Sequence, residues 1–257
     1  MAQPHRPERA QRTRAATARA PAPAVAQTVA REARFGAAFL RRFGLRLLLL
    51  FAGLLLPLWA LAELIEEVRQ HDPFPFDDPI LLFAHAMARD GFDRAFLLFS
   101  RLGYLWGVVP FDVLLVVVLG LRRRAREALF AGLALGGSAL LNLATKQVFA
   151  RDRPSLWDSI APEHTFSFPS GHAMGSMTLA WVLLLLSWRT RWRWPVAVLV
   201  IAFTVMVGLS RVYLGVHFPS DILAGWTAAS VWTVTCFFMV FRHNRHPWES
   251  KAIPRSA

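Results

Sequence analysis

Three short polar blocks stand at the edges of apolar runs: Lys146-x6-Arg153-Pro154, Pro169-Ser170-Gly171-His172 and Ser210-Arg211-x5-His217-x3-Asp221. Together they hold three cations, two imidazoles and a carboxylate where charge is unfavourable unless it has a task. A phosphate monoester carries about −1.5 to −2 charge near neutral pH, which three fixed cations can balance. Two histidines and an aspartate add the means to move protons or attack phosphorus. The set suits phosphate chemistry at a membrane surface.

Each block also predicts how it is held. Ser170 is a favoured N-cap with an apolar run directly after it, so the free N–H groups of Ser170-Gly171 stand at a helix start, a ready anion site that Gly171 leaves open to close approach. Phe218-Pro219-Ser220-Asp221 reads as a second helix start. If the residues from His217 turn helically, Asp221 reaches the imidazole, accepts from Nδ1–H and leaves the Nε2 lone pair outward. Taken singly, Lys146 is an ordinary snorkelling lysine and Arg151 a loop residue. Asp112, two residues after Pro110 inside an apolar run, is expected at a helix kink.

The elements that must position these residues are membrane helices. Six stretches approach or reach the ~20 residues a span needs: 45–65, 102–121, 129–150, 170–188, 195–213 and 222–241. They lack the polar face of a soluble helix. The fold class expected is all-α, a polytopic membrane protein of six transmembrane helices. Between the first two spans, the apolar segment 80–88 is too short to cross and is expected to lie in the interface.

The net charge of +12 does not imply nucleic acid, because the cations are distributed by side. With the spans numbered in order, twenty-one Lys and Arg fall on the side of the two termini and eight on the other. By the positive-inside rule both termini are cytoplasmic and all three blocks face the periplasm or exterior, as in a bacterial inner membrane. Trp106, Trp188, Trp192 and Trp194 read as interfacial anchors. The single Cys236 cannot form an intrachain disulfide. The domains expected are a disordered basic tail over residues 1–43, a membrane domain over 44–242 and a C-terminal tail over 243–257.

The three blocks resemble the signature of the type 2 phosphatidic acid phosphatase superfamily, with every motif position filled from Lys146 to Asp221. The resemblance implies that Lys146, Arg153, Ser170, the Gly171 amide and Arg211 bind phosphoryl oxygens. It implies that His217 attacks phosphorus, Asp221 orients it and His172 protonates the leaving oxygen, with no cofactor and no metal required. The partners expected are the bilayer and a membrane lipid phosphate or pyrophosphate: phosphatidic acid, phosphatidylglycerol phosphate, undecaprenyl pyrophosphate or a lipid A type. Two alternatives are a phosphatase of soluble esters using the same site and a lipid-phosphate transporter or binding protein without turnover. Two histidines and an aspartate favour turnover, since binding alone needs only cations.

Overall fold

The computed structural model describes residues 22–70, 74–242 and 246–248, and among them every regular element is helical. The helices are α1 (Ala22–Leu50), α2 (Leu56–Gln70), α3 (Asp77–Ala86), α4 (Asp90–Leu102), α5 (Val108–Leu121), α6 (Ala125–Phe149), α7 (Gly171–Ser187), α8 (Arg193–Tyr213) and α9 (Pro219–Val240); a π-helical turn, Phe51–Leu55, joins α1 to α2. Two units are separable, Met1–Leu47 and Leu48–Ala257. Of the expected disordered tail, residues 1–21 lie outside the described residues, and from Ala22 the chain is helical, in line with the helix propensity of its Ala and Arg. The expected C-terminal tail lies outside them apart from 246–248.

Among the described residues four helical stretches are long and apolar enough to cross a membrane, Arg46–Gln70, Ala125–Phe149, Arg193–Tyr213 and Pro219–Val240. Val108–Leu121 and Gly171–Ser187 are apolar but shorter. The second run, expected to begin at Leu102, begins at Val108 because the chain turns through 103–107. A Cβ on Gly107 would stand 2.2 Å from the Leu102 carbonyl oxygen, so the turn admits only glycine there. Pro110 then falls in the first turn of α5, where its missing N–H leaves no bond unmade, and the kink expected near Asp112 has no proline to cause it.

The second unit is built around α7, which packs against α6, α8 and α9, while α2 lies on α9 and α4 on α8. Contact between α7 and α9 is close enough that a Cβ on Gly225 would meet the Ser170 carbonyl oxygen at 2.9 Å. Polar side chains join the helices inside: Ser138 to Thr178 at 2.7 Å and Trp181 Nε1 to Ser230 Oγ at 2.8 Å. Outside, Leu121, Leu140, Val148, Val198 and Leu199 are exposed. Apolar residues outward and hydroxyls between helices is the arrangement a lipid solvent favours.

Two short helices complete the unit. Helix α3 falls on the apolar stretch picked out between the first two runs. The amphipathic α4 lies in a segment that gave no expectation of a helix; Asp90 and Asp93 in its first turn suit the helix dipole, and Asp93 accepts the Tyr213 hydroxyl at 2.6 Å.

Candidate active site

The three blocks converge. Lys146 in the last turn of α6, Gly171 and His172 at the start of α7, and His217 between α8 and α9 line one cleft of about 420 Å³. Ser100, Tyr104, Trp106, Asn142, Glu163 and Thr165 complete most of its wall. Arg153 and Arg211 meet the cleft through Glu163: Arg153 Nη2 lies 2.7 Å from Oε2, and Arg211 Nη2 donates to Oε1.

His217 is fully buried, and its neighbours fix its tautomer. Arg153 Nη1 stands 3.1 Å from Nε2. Guanidinium can only donate, so Nε2 is the acceptor and the ring proton sits on Nδ1, 3.3 Å from Asp221 Oδ2. Burial, followed by the charges of Arg211 and Arg153, holds the His217 pKa well below its ordinary value, with Glu163 partly opposing. The ring is therefore neutral with a lone pair on Nε2.

The His217–Asp221 contact forms by a route other than a helical turn. His217 precedes α9, Phe218 is extended (φ −69°, ψ 149°), and Asp221 reaches back from the first turn to accept the Phe218 N–H at 2.9 Å. A carboxylate at that position caps the helix and meets the imidazole with one oxygen. Ser167 Oγ also donates to Asp221 Oδ2.

The Pro169–His172 turn starts α7 at Ser170 as expected, but the Ser170 N–H, expected to be free for an anion, is already bonded. Ser170 caps α7, accepting from the Ala173 N–H at 3.5 Å, and its own N–H donates to the Asp221 carbonyl at 3.1 Å. Its side chain is fully buried in that role. Asn142, one turn before Lys146 on α6, donates to the Pro169 carbonyl at 3.1 Å and leaves no room for a Cβ on Gly171. Lys146 Nζ donates to the Phe166 carbonyl and lies 3.5 Å from Thr165 Oγ1. Arg211, buried to 1% exposure, donates from Nη1 to Ser100 Oγ, while its Nε has no hydrogen-bond partner among the described residues.

Several participants were not singled out by the sequence. Arg151, read as a plain loop residue, donates to Asp221 Oδ1 at 2.6 Å and Ser220 Oγ at 2.8 Å, and its Nη2 reaches Asp77 Oδ2 at 3.1 Å. Asp77 also accepts the Ser220 N–H at 2.9 Å, tying α3 to the start of α9. Burial raises the Asp77 pKa, and the bonds from Ser220 and Arg151 oppose that rise. Breaking a buried ion pair from one side costs about 3–5 kcal/mol. Arg151→Ala, which takes the guanidinium from two buried carboxylates at once and leaves them only their neutral donors, is therefore expected to lower the thermal midpoint of the detergent-solubilised protein markedly. A midpoint equal to wild type would show that the pair carries no such weight.

The sequence model of the PAP2 superfamily matches residues 127–245. Phosphatidylglycerophosphatase B of Bacillus subtilis (strain 168) is 33% identical over 143 residues, which is 52% of this chain and 68% of that protein. An undecaprenyl-diphosphatase of Sulfolobus acidocaldarius is 34% identical over 132 residues, 49% of this chain and 59% of that protein. Among solved structures, the transmembrane PAP2-type phosphatidylglycerolphosphate phosphatase from Bacillus subtilis superposes with a TM-score of 0.61 at 25% identity, covering 72% of this chain and 93% of that one. The fold and these relatives together place the chain among integral membrane hydrolases of the phosphatase class. The chain belongs to the PAP2 superfamily.

Proposed function

We propose that this chain hydrolyses the phosphomonoester or diphosphate group of a membrane lipid through a phosphohistidine on His217. One observation carries the reading. His217 Nε2 and His172 Nδ1 each lie 3.9 Å from the Glu163 carboxylate, which Arg153 and Arg211 also hold, so the nucleophile, a proton donor and two cations face one anion-sized position.

In the first step the Nε2 lone pair turns from Arg153 Nη1 to phosphorus, a P–N bond forms, the P–O bond to the lipid breaks, and His172, its imidazolium favoured by the phosphoryl charge bound beside it, gives its proton to the departing oxygen. In the second, His172 takes a proton from water, whose oxygen attacks phosphorus and releases inorganic phosphate and neutral His217. Asp221 stabilises the imidazolium that the first step creates. Lys146, Arg153 and Arg211, with the Ser170–Gly171 helix start, balance the phosphoryl charge and favour its equatorial oxygens in the transition state.

The lipid preference follows from place. Leu105, Trp106 and Leu143 belong to the same cleft wall as the charged groups, so a head group can enter while its chains stay in an apolar surround. In the six-span reading, with α5 and α7 as short spans, α3 in the interface and both termini cytoplasmic, the cleft faces the periplasm or exterior. The named relatives act on phosphatidylglycerophosphate and undecaprenyl diphosphate, and both classes fit a site that reads only the phosphoryl group.

A panel of phosphatidic acid, phosphatidylglycerol phosphate, undecaprenyl diphosphate and glucose 6-phosphate, assayed in EDTA, tests this. Phosphate release from at least one lipid, at ten-fold or greater efficiency over the sugar ester, is expected. Preference for the soluble ester would favour the first alternative, and no release from any lipid would favour a binding protein.

A further inference from the structure

Glu163 belongs to none of the three polar blocks, and it sits where the chemistry should happen. Its carboxylate lies among Arg153, Arg211, His172 and His217, each contact at 3.9 Å or less. Burial works to raise its pKa, but the charge of Arg211 foremost, with Arg153 and Lys146, outweighs burial and keeps it below the ordinary value. The acid is thus ionised, and the cradle holds an anion of its own before any substrate arrives.

That anion can leave. The Glu163 side chain is 28% exposed, against 14% for His172, 12% for Arg153 and 1% for Arg211 and His217. Arg153 shares the loop 151–170 with it but is held by the Thr165, Phe166 and Val216 oxygens, and Arg211 is held on α8 and by Ser100, so the Glu163 side chain can swing toward water while these cations stay in place. Any ligand phosphate must displace it.

The competition matters because of the solvent. A cradle of three cations at a membrane surface is bathed in ordinary phospholipids, whose phosphodiesters each carry one negative charge. A tethered group has an effective concentration that reaches the millimolar range, with its ordering cost already met by the fold. Exchanging a tethered carboxylate for a singly charged diester gains no Coulomb energy, whereas a monoester of about −1.5 to −2 charge, or a diphosphate, brings more charge to the same cations. Discrimination then comes from disfavouring the wrong ligand.

We propose that Glu163 is a specificity-determining residue, an internal carboxylate that reserves the cradle for phosphomonoesters and diphosphates and excludes phosphodiester lipids. The proposal rests on the cradle being the phosphoryl site. It assigns Glu163 no part in bond making.

The test uses monomeric short-chain lipids: dihexanoyl phosphatidic acid as substrate and dihexanoyl phosphatidylglycerol as competing diester, with purified full-length protein. The quantity read is the ratio of the diester Ki to the monoester KM. In Glu163→Gln the ratio is expected to fall about ten-fold, with KM falling by a smaller factor, because the uncharged amide no longer competes. Glu163→Asp, which keeps the charge, should stay near wild type, and Glu163→Ser should follow the Gln variant, each with a thermal transition recorded to show it is folded. An unchanged ratio in the folded Gln and Ser variants overturns the proposal. So does loss of monoester turnover in both, which would place Glu163 in the catalytic machinery. If His217→Ala hydrolyses the monoester normally, the underlying assignment fails instead, an outcome distinct from either.

Discussion

His217→Ala is expected to lower kcat on any accepted lipid phosphate by at least about 10⁴-fold, the scale seen when a covalent nucleophile is removed. The His217 ring has its tautomer dictated from both sides, by Arg153 on Nε2 and Asp221 on Nδ1. The variant should remain folded, because Arg153 Nη1 keeps the Val216 carbonyl at 2.6 Å and Asp221 keeps Ser167, Phe218 and Arg151. Two measurements check it together: phosphate release, and capture of radioactive phosphate on the protein after rapid quenching into alkali. Wild type should carry label and the variant none. Turnover within ten-fold of wild type would remove His217 as the nucleophile.

How much of this was legible depends on which physical signal each residue carries. The ends of α7 and α9 were readable because Ser170 and Pro219 are local punctuation whose effect does not depend on the rest of the fold. The gathering of Lys146, His172 and His217 around one cleft follows from those ends once the apolar runs are packed side by side. Arg151 and Arg153 show where that logic stops. Two guanidiniums two residues apart in a loop look alike in sequence, yet one holds Asp221 and Asp77 and the other faces His217 and Glu163. Asp77, Ser100 and Glu163 come from α3, α4 and the loop 151–170. Their approach to the site is set by long-range packing, with 143 residues separating Asp77 from the Ser220 it binds. Helix α4 is hard to read because its apolar residues lie on one face of only 13 residues and form no continuous apolar run; the Gly103–Gly107 turn that ends it also takes the first residues from the second run.

Asp221→Asn tests the other half of the nucleophile, and its expected effect is a fall in kcat of about 10³ to 10⁴-fold with KM close to wild type. The magnitude matches what an equivalent amide substitution costs where a buried carboxylate sets a histidine's tautomer. The reasoning here is particular to the donors around this side chain. Oδ2 accepts from Phe218 N–H, Ser167 Oγ and His217 Nδ1, and Oδ1 accepts from Arg151 Nη1. An amide has one acceptor oxygen. If that oxygen takes the Oδ2 position, its NH₂ group points at the Arg151 guanidinium, donor against donor in a buried pocket. If the amide flips, NH₂ faces the Phe218 N–H and His217, and the ring can satisfy it only by moving its own proton to Nε2, where the nucleophilic lone pair was. Either orientation removes the neutral, Nδ1-protonated imidazole or the charge that stabilises it after attack. Lys146, Arg153 and Arg211 are untouched, so substrate should still bind. ¹⁵N chemical shifts of His217 in the variant would show which orientation is adopted. A variant that kept both the Nδ1–H tautomer and wild-type kcat would mean that Asp221 caps α9 and does nothing for His217.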